Sequence, residues 1–522
     1  MIDRRRFMAC AVAAAASSVA GGTAGAQPAG ATASEVAATS ATPATALSEG
    51  RKSRDGSADL LLSDAIVLTM DGTRRAFRSG YVWIRGDRIH RVGPTRELGE
   101  LPHGLVRRRL DGRLVMPGLV NCHTHLSNGL LRGLYDEMPL EVWFSKGMWP
   151  VLDGLDARSA ESGADLSLLE LLGTGVTTTA SGEMGGRHPD LLDGVLTAVS
   201  RSGIRAVVSR IAMDSADESS VAQFIPEPYR DTPQFAADEV RRLRRQYDSA
   251  RISVVPEALG VLRCTPEMVQ AMHAVARETD SLYTMHAASS QDERDESRRR
   301  FGHGSIAELE RLGVLGPKTL LAHAIWLDDA EIGLVAARGT GLSHNPVSNA
   351  YYASGVARLS ELLAAGARVG LGVDGASTNN GQNVWETMKM ALLFQKQRLE
   401  QASFGSAELA LELMTRGGAA ALHMEDRIGS LEAGKLADLI VIDTERIALA
   451  PSQTIVSNLV YSNDPWAVQD VYVGGERVIE NGRHPRLDRG RVIAGARTAF
   501  GRVLQTAGLE DYLRGRGSWQ WQ

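Results

Sequence analysis

Short apolar segments alternate with helix-like segments between residues 117 and about 425, and this alternation constrains the fold most strongly. The apolar segments have strand length, and the stretches 166–172 and 386–394 are examples of the helical segments between them. Strands that alternate with helices predict parallel βα units, and eight such units predict a (β/α)8, TIM-like barrel. The eight candidate strands end near Cys122, Ala180, Arg210, Glu257, His286, His323, His344 and Asp374.

The first of these strands ends in two histidines, His123 and His125, which are separated by one residue. Residues two apart on a strand project to the same face, so the two imidazoles point to one side. His286, His323 and Asp374 each close another candidate strand. Because catalytic groups of such barrels lie at the C-terminal ends of the strands, we expect all five side chains to meet at one mouth. Nitrogen and oxygen donors favour zinc, iron, manganese or cobalt over calcium.

Both ends of the chain carry strand-rich segments that lie outside the barrel. Residues 60–69 and 81–89 form short strand-like runs separated by Asp-Gly and Gly-Asp turns, and residues 437–442 and 468–479 form a matching set. We therefore expect one small β-sandwich domain built from both ends. The predicted bounds are 58–115 and 428–485 for this domain, 116–427 for the barrel and 486–522 for a C-terminal extension.

The first residues have the pattern of a targeting signal. Adjacent arginines and an aromatic residue (Arg4 to Phe7) precede an alanine-rich apolar segment and the small residues Ala24-Gly25-Ala26. This order is typical of a twin-arginine signal peptide, assigned to residues 1–26, with a disordered basic terminus as the alternative. Residues 27–57 are rich in Ala, Thr, Ser, Gly and Pro and predict a flexible linker. The expected location is the periplasm or the medium.

The composition excludes several classes of protein. The formal net charge of the 522 residues is -5, and no block of basic residues indicates nucleic-acid binding. No apolar run is long enough to cross a bilayer. The three cysteines, at positions 10, 122 and 264, are too few for a disulfide framework or a cysteine zinc site. A small-molecule substrate is therefore the expected partner.

Six stretches resemble the amidohydrolase superfamily, in the branch of the cytosine, guanine and S-adenosylhomocysteine deaminases and the triazine hydrolases (chlorohydrolases). The resemblance extends from about residue 59 to residue 482, which is nearly the whole chain after the signal and linker. In combination the motifs are specific for the branch, and much less so for the substrate. The matching stretches are 117–125, 131–134, 344–349, 353–355, 372–380 and 428–439.

The resemblance implies one divalent metal ion, with zinc favoured over iron, manganese or cobalt, and the ligands His123, His125, His286 and Asp374. His323 would orient the attacking water and polarise the substrate, and Asp374 would accept the proton of that water. Relatives commonly form dimers or tetramers, so the resemblance also implies a homo-oligomer. The predicted function is a metal-dependent hydrolase of non-peptide C–N bonds, in the first place an aminohydrolase of a nitrogen heterocycle.

Two positions depart from the pattern of the deaminases. A glutamate usually follows the third metal histidine by three residues and moves protons to the leaving amine, but this chain has Ser289 there. One strand earlier, Glu257 stands where the family often has a histidine that contacts the ring. In one interpretation Glu257 or Glu183 supplies the missing acid. In the other no equivalent acid is needed, because the substrate has a better leaving group or is an amide, a urea or a carbamate.

Further candidates for substrate contacts are weaker. Arg132 and Trp143 follow the first barrel strand, where this branch binds substrate, and Asn349 follows the seventh. Glu257 and Ser289 complete the predicted substrate-binding set, with a salt bridge as the alternative role of Glu257 and Arg132. A non-catalytic binding protein that keeps the fold is a further alternative. The complete set of five metal-site residues argues against it, because a decayed site would lose some of them.

Overall fold

The computed structural model describes residues 59–136, 138, 140–185, 188–216 and 225–514. The predicted signal peptide (1–26) and linker (27–57) lie outside these residues. In chain order, the strands are β1 (Leu60–Leu68), β2 (Ala76–Arg85), β3 (Arg88–Pro94), β4 (Val106–Arg109), β5 (Arg113–Pro117), β6 (Leu119–Asn121), β7 (Val176–Met184), β8 (Arg205–Ala212), β9 (Ile252–Ala258), β10 (Tyr283–Ala287), β11 (Thr319–His323), β12 (Gly341–His344), β13 (Arg368–Leu371), β14 (Leu439–Asp443), β15 (Val468–Val473) and β16 (Glu476–Ile479).

The helices of the same residues connect and cover these strands. The two helical stretches expected from the sequence lie within α3 and α13. In chain order, the helices are α1 (Leu140–Val142), α2 (Trp149–Gly154), α3 (Ala157–Gly173), α4 (Leu191–Ser202), α5 (Pro233–Tyr247), α6 (Pro266–Glu278), α7 (Gln291–Phe301), α8 (Ser305–Arg311), α9 (Asp329–Arg338), α10 (Pro346–Tyr351), α11 (Leu359–Ala364), α12 (Ala376–Asn379), α13 (Val384–Leu399), α14 (Ala407–Glu412), α15 (Gly418–Ala421), α16 (Ile455–Tyr461), α17 (Arg489–Ala507) and α18 (Glu510–Arg514).

Strands β6 to β13 form the barrel that the strand–helix alternation predicts. They pair in chain order, and each neighbouring pair is parallel. The first and last strands meet where the backbone N–H of Cys122 donates to the carbonyl of Leu371 at 2.9 Å. The side chains of these strands are almost all buried, as expected for a parallel sheet covered by helices. The barrel therefore brings the C-terminal ends of eight strands to one mouth.

The remaining strands form one eight-stranded mixed sheet that uses both ends of the described chain. Its order is β16-β15-β14-β5-β1-β2-β3, with β4 beside β1. The two ends are joined by antiparallel pairing of β14 with β5, in which Val441 faces Val115. The predicted fold class, a barrel with a small β domain from both ends, is confirmed.

Helix boundaries follow from local side chains that replace missing backbone partners. Asp156 begins α3 by accepting the N–H of Ser159, and Asp328 forms a capping box with Glu331 at the start of α9. At the other end of α4, Gly203 has φ +77°, a conformation that glycine adopts without steric cost. These caps set the helices on the outside of the barrel.

The described part of the C-terminal extension is helical. α17 buries Val492, Ala496, Ala499 and Val503, and the last three of these join the core around the barrel helices. The backbone of Val503 lies so close to α2 that a Cβ on Gly154 would be 2.8 Å from its carbonyl oxygen. Among the described residues no helix is both long and apolar enough to cross a membrane.

Candidate metal centre and active site

His123 and His125 follow β6 directly and point to the barrel mouth, as the His-x-His spacing predicts. His123 is 5% exposed, and the two rings meet edge to face with their centroids 4.8 Å apart. Nδ1 of His125 lies 2.5 Å from the carbonyl oxygen of Gly182 in β7, which accepts the Nδ1 hydrogen. The Nε2 lone pair of His125 is therefore free to bind a cation.

His286 completes a group of three imidazoles. Its ring lies 4.8 Å from that of His123 and is stacked on that of His125 at 5.5 Å. One ligand atom from each of the three residues lies within 4.8 Å of the others. Nδ1 of His286 is 2.9 Å from Oε1 of Glu257, so this contact fixes the ring with Nε2 towards the mouth.

Asp374 follows β13 and supplies the carboxylate of the cluster. Its Oδ1 lies 3.6 Å from Nε2 of His123 and 3.5 Å from Nε2 of His125. Oδ2 accepts a hydrogen bond from Ser348 at 2.6 Å. Burial alone would raise the pKa of Asp374, but the adjacent imidazoles, led by His123, hold it well below its usual value. The group is therefore an anion.

His323 lies beside Asp374 with its Nε2 3.8 Å from Oδ2. Its Nδ1 is 2.9 Å from Oδ1 of Asn349, an acceptor that places the ring hydrogen on Nδ1 and leaves a lone pair on Nε2. Both active-site residues have left-handed backbones, with φ +77° for His323 and +66° for Asp374. Non-glycine residues in this region are strained, and such strain concentrates at functional sites.

The five side chains fit a divalent first-row metal ion. Nε2 of His123 is buried and has no hydrogen-bond partner among the described residues. Burial, first of all, lowers the pKa of His123 well below its usual value and keeps the ring neutral, as metal binding requires. Three neutral imidazoles and one carboxylate form a donor set that zinc favours. A buried cation would satisfy the orphaned nitrogen and the anion of Asp374 together.

Glu257, predicted as a catalytic acid or a substrate contact, has its carboxylate directed to protein donors. Its carboxylate is buried behind His286 and accepts hydrogen bonds from Ser209 and, at 2.9 Å, from Thr284. Burial, the largest single effect, would raise the pKa of Glu257, but His286 and the hydroxyl of Ser209 together lower it below its usual value. Glu257 is thus an anion that positions a metal ligand and has no proton to give.

Glu183, the alternative acid, is also committed to the protein. It is 1% exposed and accepts the backbone N–H of Leu126 and the hydroxyls of Ser127 and Ser181, each at 2.6 Å. These contacts tie the loop after His125 to β7. Glu183 therefore stabilises the conformation of the loop after His125.

Ser289 lies in the loop after β10, and the carboxylate of Glu293 is buried against the backbone of this loop. Glu293 accepts the backbone N–H groups of Ala288 at 2.7 Å and Ser289 at 2.8 Å. Ser290 caps α7 by accepting the N–H of Glu293. The Ser-x-x-Glu spacing of a capping box was the signal that identifies this role.

The other predicted substrate contacts are Arg132, Trp143 and Asn349, and they have different surroundings. Arg132 forms an ion pair with Glu170 and is partly exposed, as the salt-bridge alternative predicts. Trp143 is 4% exposed, and its indole N–H has no partner among the described residues. Asn349 holds His323 through Oδ1. Ser348, which the sequence analysis did not single out, contacts the cluster directly by donating a hydrogen bond to Asp374.

Comparison with protein-family models tests the resemblance to the amidohydrolases. The model of the Amidohydrolase family matches residues 114–478, a segment that contains the barrel strands and all five clustered side chains. The chain belongs to the amidohydrolase family. It is a metal-dependent hydrolase of carbon–nitrogen bonds other than peptide bonds, as the motifs predicted.

Named relatives and solved structures agree with this assignment. A 5-methylthioadenosine/S-adenosylhomocysteine deaminase of Pelotomaculum thermopropionicum is 33% identical over 447 residues, 84% of this chain and 97% of the relative. A 5'-deoxyadenosine deaminase of Methanopyrus kandleri is 32% identical and covers 73% of this chain and 84% of its own length. An adenosine deaminase structure from Xanthomonas campestris with bound zinc is 27% identical, with a TM-score of 0.79 over 86% of this chain and 99% of that one.

A more distant structure shows the fold alone. An atrazine chlorohydrolase from Arthrobacter aurescens, complexed with zinc, is 24% identical and has a TM-score of 0.78 over 84% of this chain and the whole of that one. The predicted family is confirmed by the family match and by the relatives that are at least 30% identical.

Proposed function

We propose that this amidohydrolase is a zinc-dependent deaminase that replaces the exocyclic amine of an adenine nucleoside with oxygen and releases ammonia. The observation that carries the proposal is the convergence of His123, His125, His286, His323 and Asp374 on one point. The names of relatives that are at least 30% identical over most of the chain support the substrate class. The zinc of the adenosine deaminase structure supports the metal.

When bound, the metal ion supplies a positive charge that lowers the pKa of water towards neutrality. Asp374 is the ionised carboxylate at this point and accepts the proton of the attacking water. His323 accepts a hydrogen bond from the same water through Nε2, because its Nδ1 hydrogen is directed to Asn349. The water lone pair is thereby directed to the ring carbon that bears the amine.

The leaving amine needs a proton, and the geometry indicates its source. Glu257 and Glu183 are occupied by protein donors, and Ser289 has a hydroxyl that is a poor acid. Asp374, which has taken the proton of the water, returns it to the amine nitrogen. Attack of the water oxygen has moved the C=N electron pair to the ring nitrogen; this pair re-forms the double bond as the C–N bond breaks, ammonia leaves, and the carbon keeps the hydroxyl of the water.

Ser289 favours a second candidate, hydrolysis of an amide, urea or carbamate. A better leaving group or a more reactive carbonyl would make a dedicated acid unnecessary. The two candidates share the metal cluster and differ only in the substrate. Each predicts a different product from the same purified protein.

Ammonia release by the zinc-loaded protein across two substrate panels separates these candidates. One panel holds adenosine, 5'-deoxyadenosine and thioether-substituted adenosines, and the other holds simple amides, ureas and carbamates. Turnover confined to the nucleosides is the expected result. Turnover confined to the second panel would establish the alternative. The Asp374→Asn protein, purified in the same way, is the control for contaminating deaminases.

We also propose export through the twin-arginine pathway, with residues 1–26 as the signal. The paired arginines, the apolar segment and the small residues at 24–26 support it. The full chain, expressed in a bacterium with that pathway, is expected in the periplasm or the medium. Replacement of Arg4, Arg5 and Arg6 by lysine should keep it in the cytoplasm, and an unchanged distribution would contradict the proposal.

A homo-oligomer is a further proposal, supported by two apolar side chains on neighbouring loops. Ile447 is 95% exposed and Trp466 is 60% exposed, and an ion pair of 2.9 Å between Arg446 and Asp464 joins their loops. Sedimentation of the purified protein should give a multiple of the chain mass, and Trp466→Ser should lower it. A monomer at all concentrations would exclude it.

A further inference from the structure

Besides imidazole nitrogens and Oδ1 of Asn379, three side-chain groups near the barrel mouth are buried and have no hydrogen-bond partner among the described residues. They are Nε1 of Trp143, Nδ2 of Asn349 and the hydroxyl of Tyr352. The first two are donors only, and the phenol is a donor as well as an acceptor. Buried polar groups are nearly always paired, so three orphans in one region require an explanation.

The side chains that carry these three groups are neighbours, and one of them contacts His323. Asn349 contacts His323 through its other amide atom, at 2.9 Å. Tyr352 follows Asn349 by three residues, at the end of α10, and its ring meets that of Trp143 edge to face at 6.2 Å. Burial and then the charge of Asp374 raise the pKa of Tyr352 well above its usual value, which keeps the phenol protonated.

The hydroxyl of the adjacent residue, Tyr351, forms hydrogen bonds that stabilise the fold. The hydroxyl of Tyr351 contacts Asp136 and lies 3.1 Å from Nδ2 of Asn380. These bonds connect α10 to the loops after β6 and β13. Tyr352, next in the chain, has no such bond among the described residues, although its hydroxyl oxygen is buried.

Acceptors in the same region are already used by the protein. Glu257 takes hydrogen bonds from Ser209 and Thr284, and Glu293 takes two backbone N–H groups. Asp374 takes the hydroxyl of Ser348. The unpaired groups of Trp143, Asn349 and Tyr352 can all donate, and the complement of such donors is a ligand that offers acceptors.

We infer that Trp143, Asn349 and Tyr352 form a donor-lined specificity pocket for substrates that present hydrogen-bond acceptors, with Tyr352 as the residue that discriminates among them. The inference rests on the proposed deaminase function for the identity of the ring. The ligand class is an uncharged heteroaromatic ring with unprotonated nitrogens, and ring analogues in which C–H replaces such a nitrogen bind less well. A cationic amine is excluded because it offers only donors.

The test compares Tyr352→Phe with Tyr351→Phe in the zinc-loaded full-length enzyme. Phenylalanine keeps the ring and removes the hydroxyl in both variants. Steady-state kinetics with adenosine are measured beside analogues that lack ring nitrogen 1, 3 or 7, and thermal unfolding of each variant is recorded. For any analogue that is not turned over, calorimetric binding replaces kinetics.

Tyr352→Phe should lower kcat/KM for adenosine about tenfold, the effect of one buried hydrogen bond, without lowering the melting temperature. For the one analogue that lacks the contacted nitrogen, kcat/KM or affinity should be the same in wild type and Tyr352→Phe. Tyr351→Phe should lower the melting temperature, and it should change kcat/KM by the same factor for every substrate.

The inference is overturned if Tyr352→Phe changes kcat/KM and nucleoside affinity by less than about twofold, or if its losses are the same for all analogues. Failure of the proposed function has a different signature. A wild-type enzyme that binds the nucleosides and releases no ammonia contradicts deamination, while the binding of the analogues by Tyr352→Phe still decides the role of the hydroxyl.

Discussion

At the scale of single residues, the site depends on side chains that hold other side chains. Glu257 holds His286, Asn349 holds His323 and Ser348 holds Asp374, at 2.9, 2.9 and 2.6 Å. Partners of this kind fix the tautomer and direction of a ligand and raise its basicity. The identity of the five central residues therefore explains only part of the activity.

Glu257→Gln tests this positioning role. The amide keeps the volume but removes the negative charge opposite Nδ1 of His286, so zinc affinity should fall about 10- to 100-fold. Competition with a chromophoric chelator measures it. Glu412→Gln, which removes a carboxylate paired with Arg74, is the matched control and should bind zinc normally. Wild-type affinity in Glu257→Gln would show that the contact does not orient His286.

Asp374→Asn tests the proton acceptor. Asparagine tolerates the left-handed backbone at φ +66°, so the chain should fold, while kcat should fall by about 10² to 10⁴ because an amide accepts no proton. Circular dichroism checks the fold, and ammonia release gives the rate. A variant that retains activity within tenfold would exclude Asp374 as the base.

At the scale of strands and helices, close backbone approach sets the size of the cluster. A Cβ on Gly182 of β7 would lie 2.9 Å from Oε2 of Glu257 and 3.4 Å from Cε1 of His125. No side chain fits there without displacing a metal ligand or the residue that positions one. The glycine is therefore part of the architecture of the site.

Gly182→Ala should lower both zinc affinity and the free energy of unfolding, the latter by about 1–3 kcal/mol as for overpacked cores. Gly333→Ala in α9 is the matched control: a Cβ there meets nothing within 4 Å, and the helix should gain about 0.5–1 kcal/mol. Urea unfolding and metal titration of both variants check this. Equal behaviour of the two variants would contradict the steric argument.

The sequence predicts elements and strand-end residues well, because both depend on local patterns. All eight predicted strand ends have a counterpart among β6 to β13, and the five cluster residues meet as expected. The partners of a carboxylate are not local: Glu257 receives its contacts from β8 and β10, so its commitment to His286 is visible only in the fold. The orphaned hydroxyl of Tyr352 beside the satisfied one of Tyr351 is likewise a tertiary property.

At the scale of the whole molecule, a buried ion pair connects the base of the barrel to the mixed sheet. Nε of Arg205 in β8 lies 2.9 Å from Asp438, which precedes β14, and both side chains are almost fully buried. Asp438 also accepts the N–H of Gly474 at 2.6 Å. The pair links strands that are more than 200 residues apart in the chain.

Asp438→Ala should lower the free energy of unfolding by about 3–5 kcal/mol, because it leaves the Arg205 guanidinium buried without its counter-ion. Adding Arg205→Met should recover part of the loss. Zinc content and kcat of the folded variants should stay normal, since the pair is at the opposite end of the barrel from the site. A loss below about 1 kcal/mol would show that the pair is not a structural link.

The measurement that tests the central claim most directly is the spectral conversion of adenosine by the purified protein before and after removal of its metal. We expect about one zinc ion per chain, conversion of the amine to an oxo group with release of one ammonia per ring, loss of activity with the chelated metal and recovery on addition of zinc. Conversion that persists in metal-free protein would contradict the account, and so would a fully zinc-loaded protein that leaves the adenine amine intact.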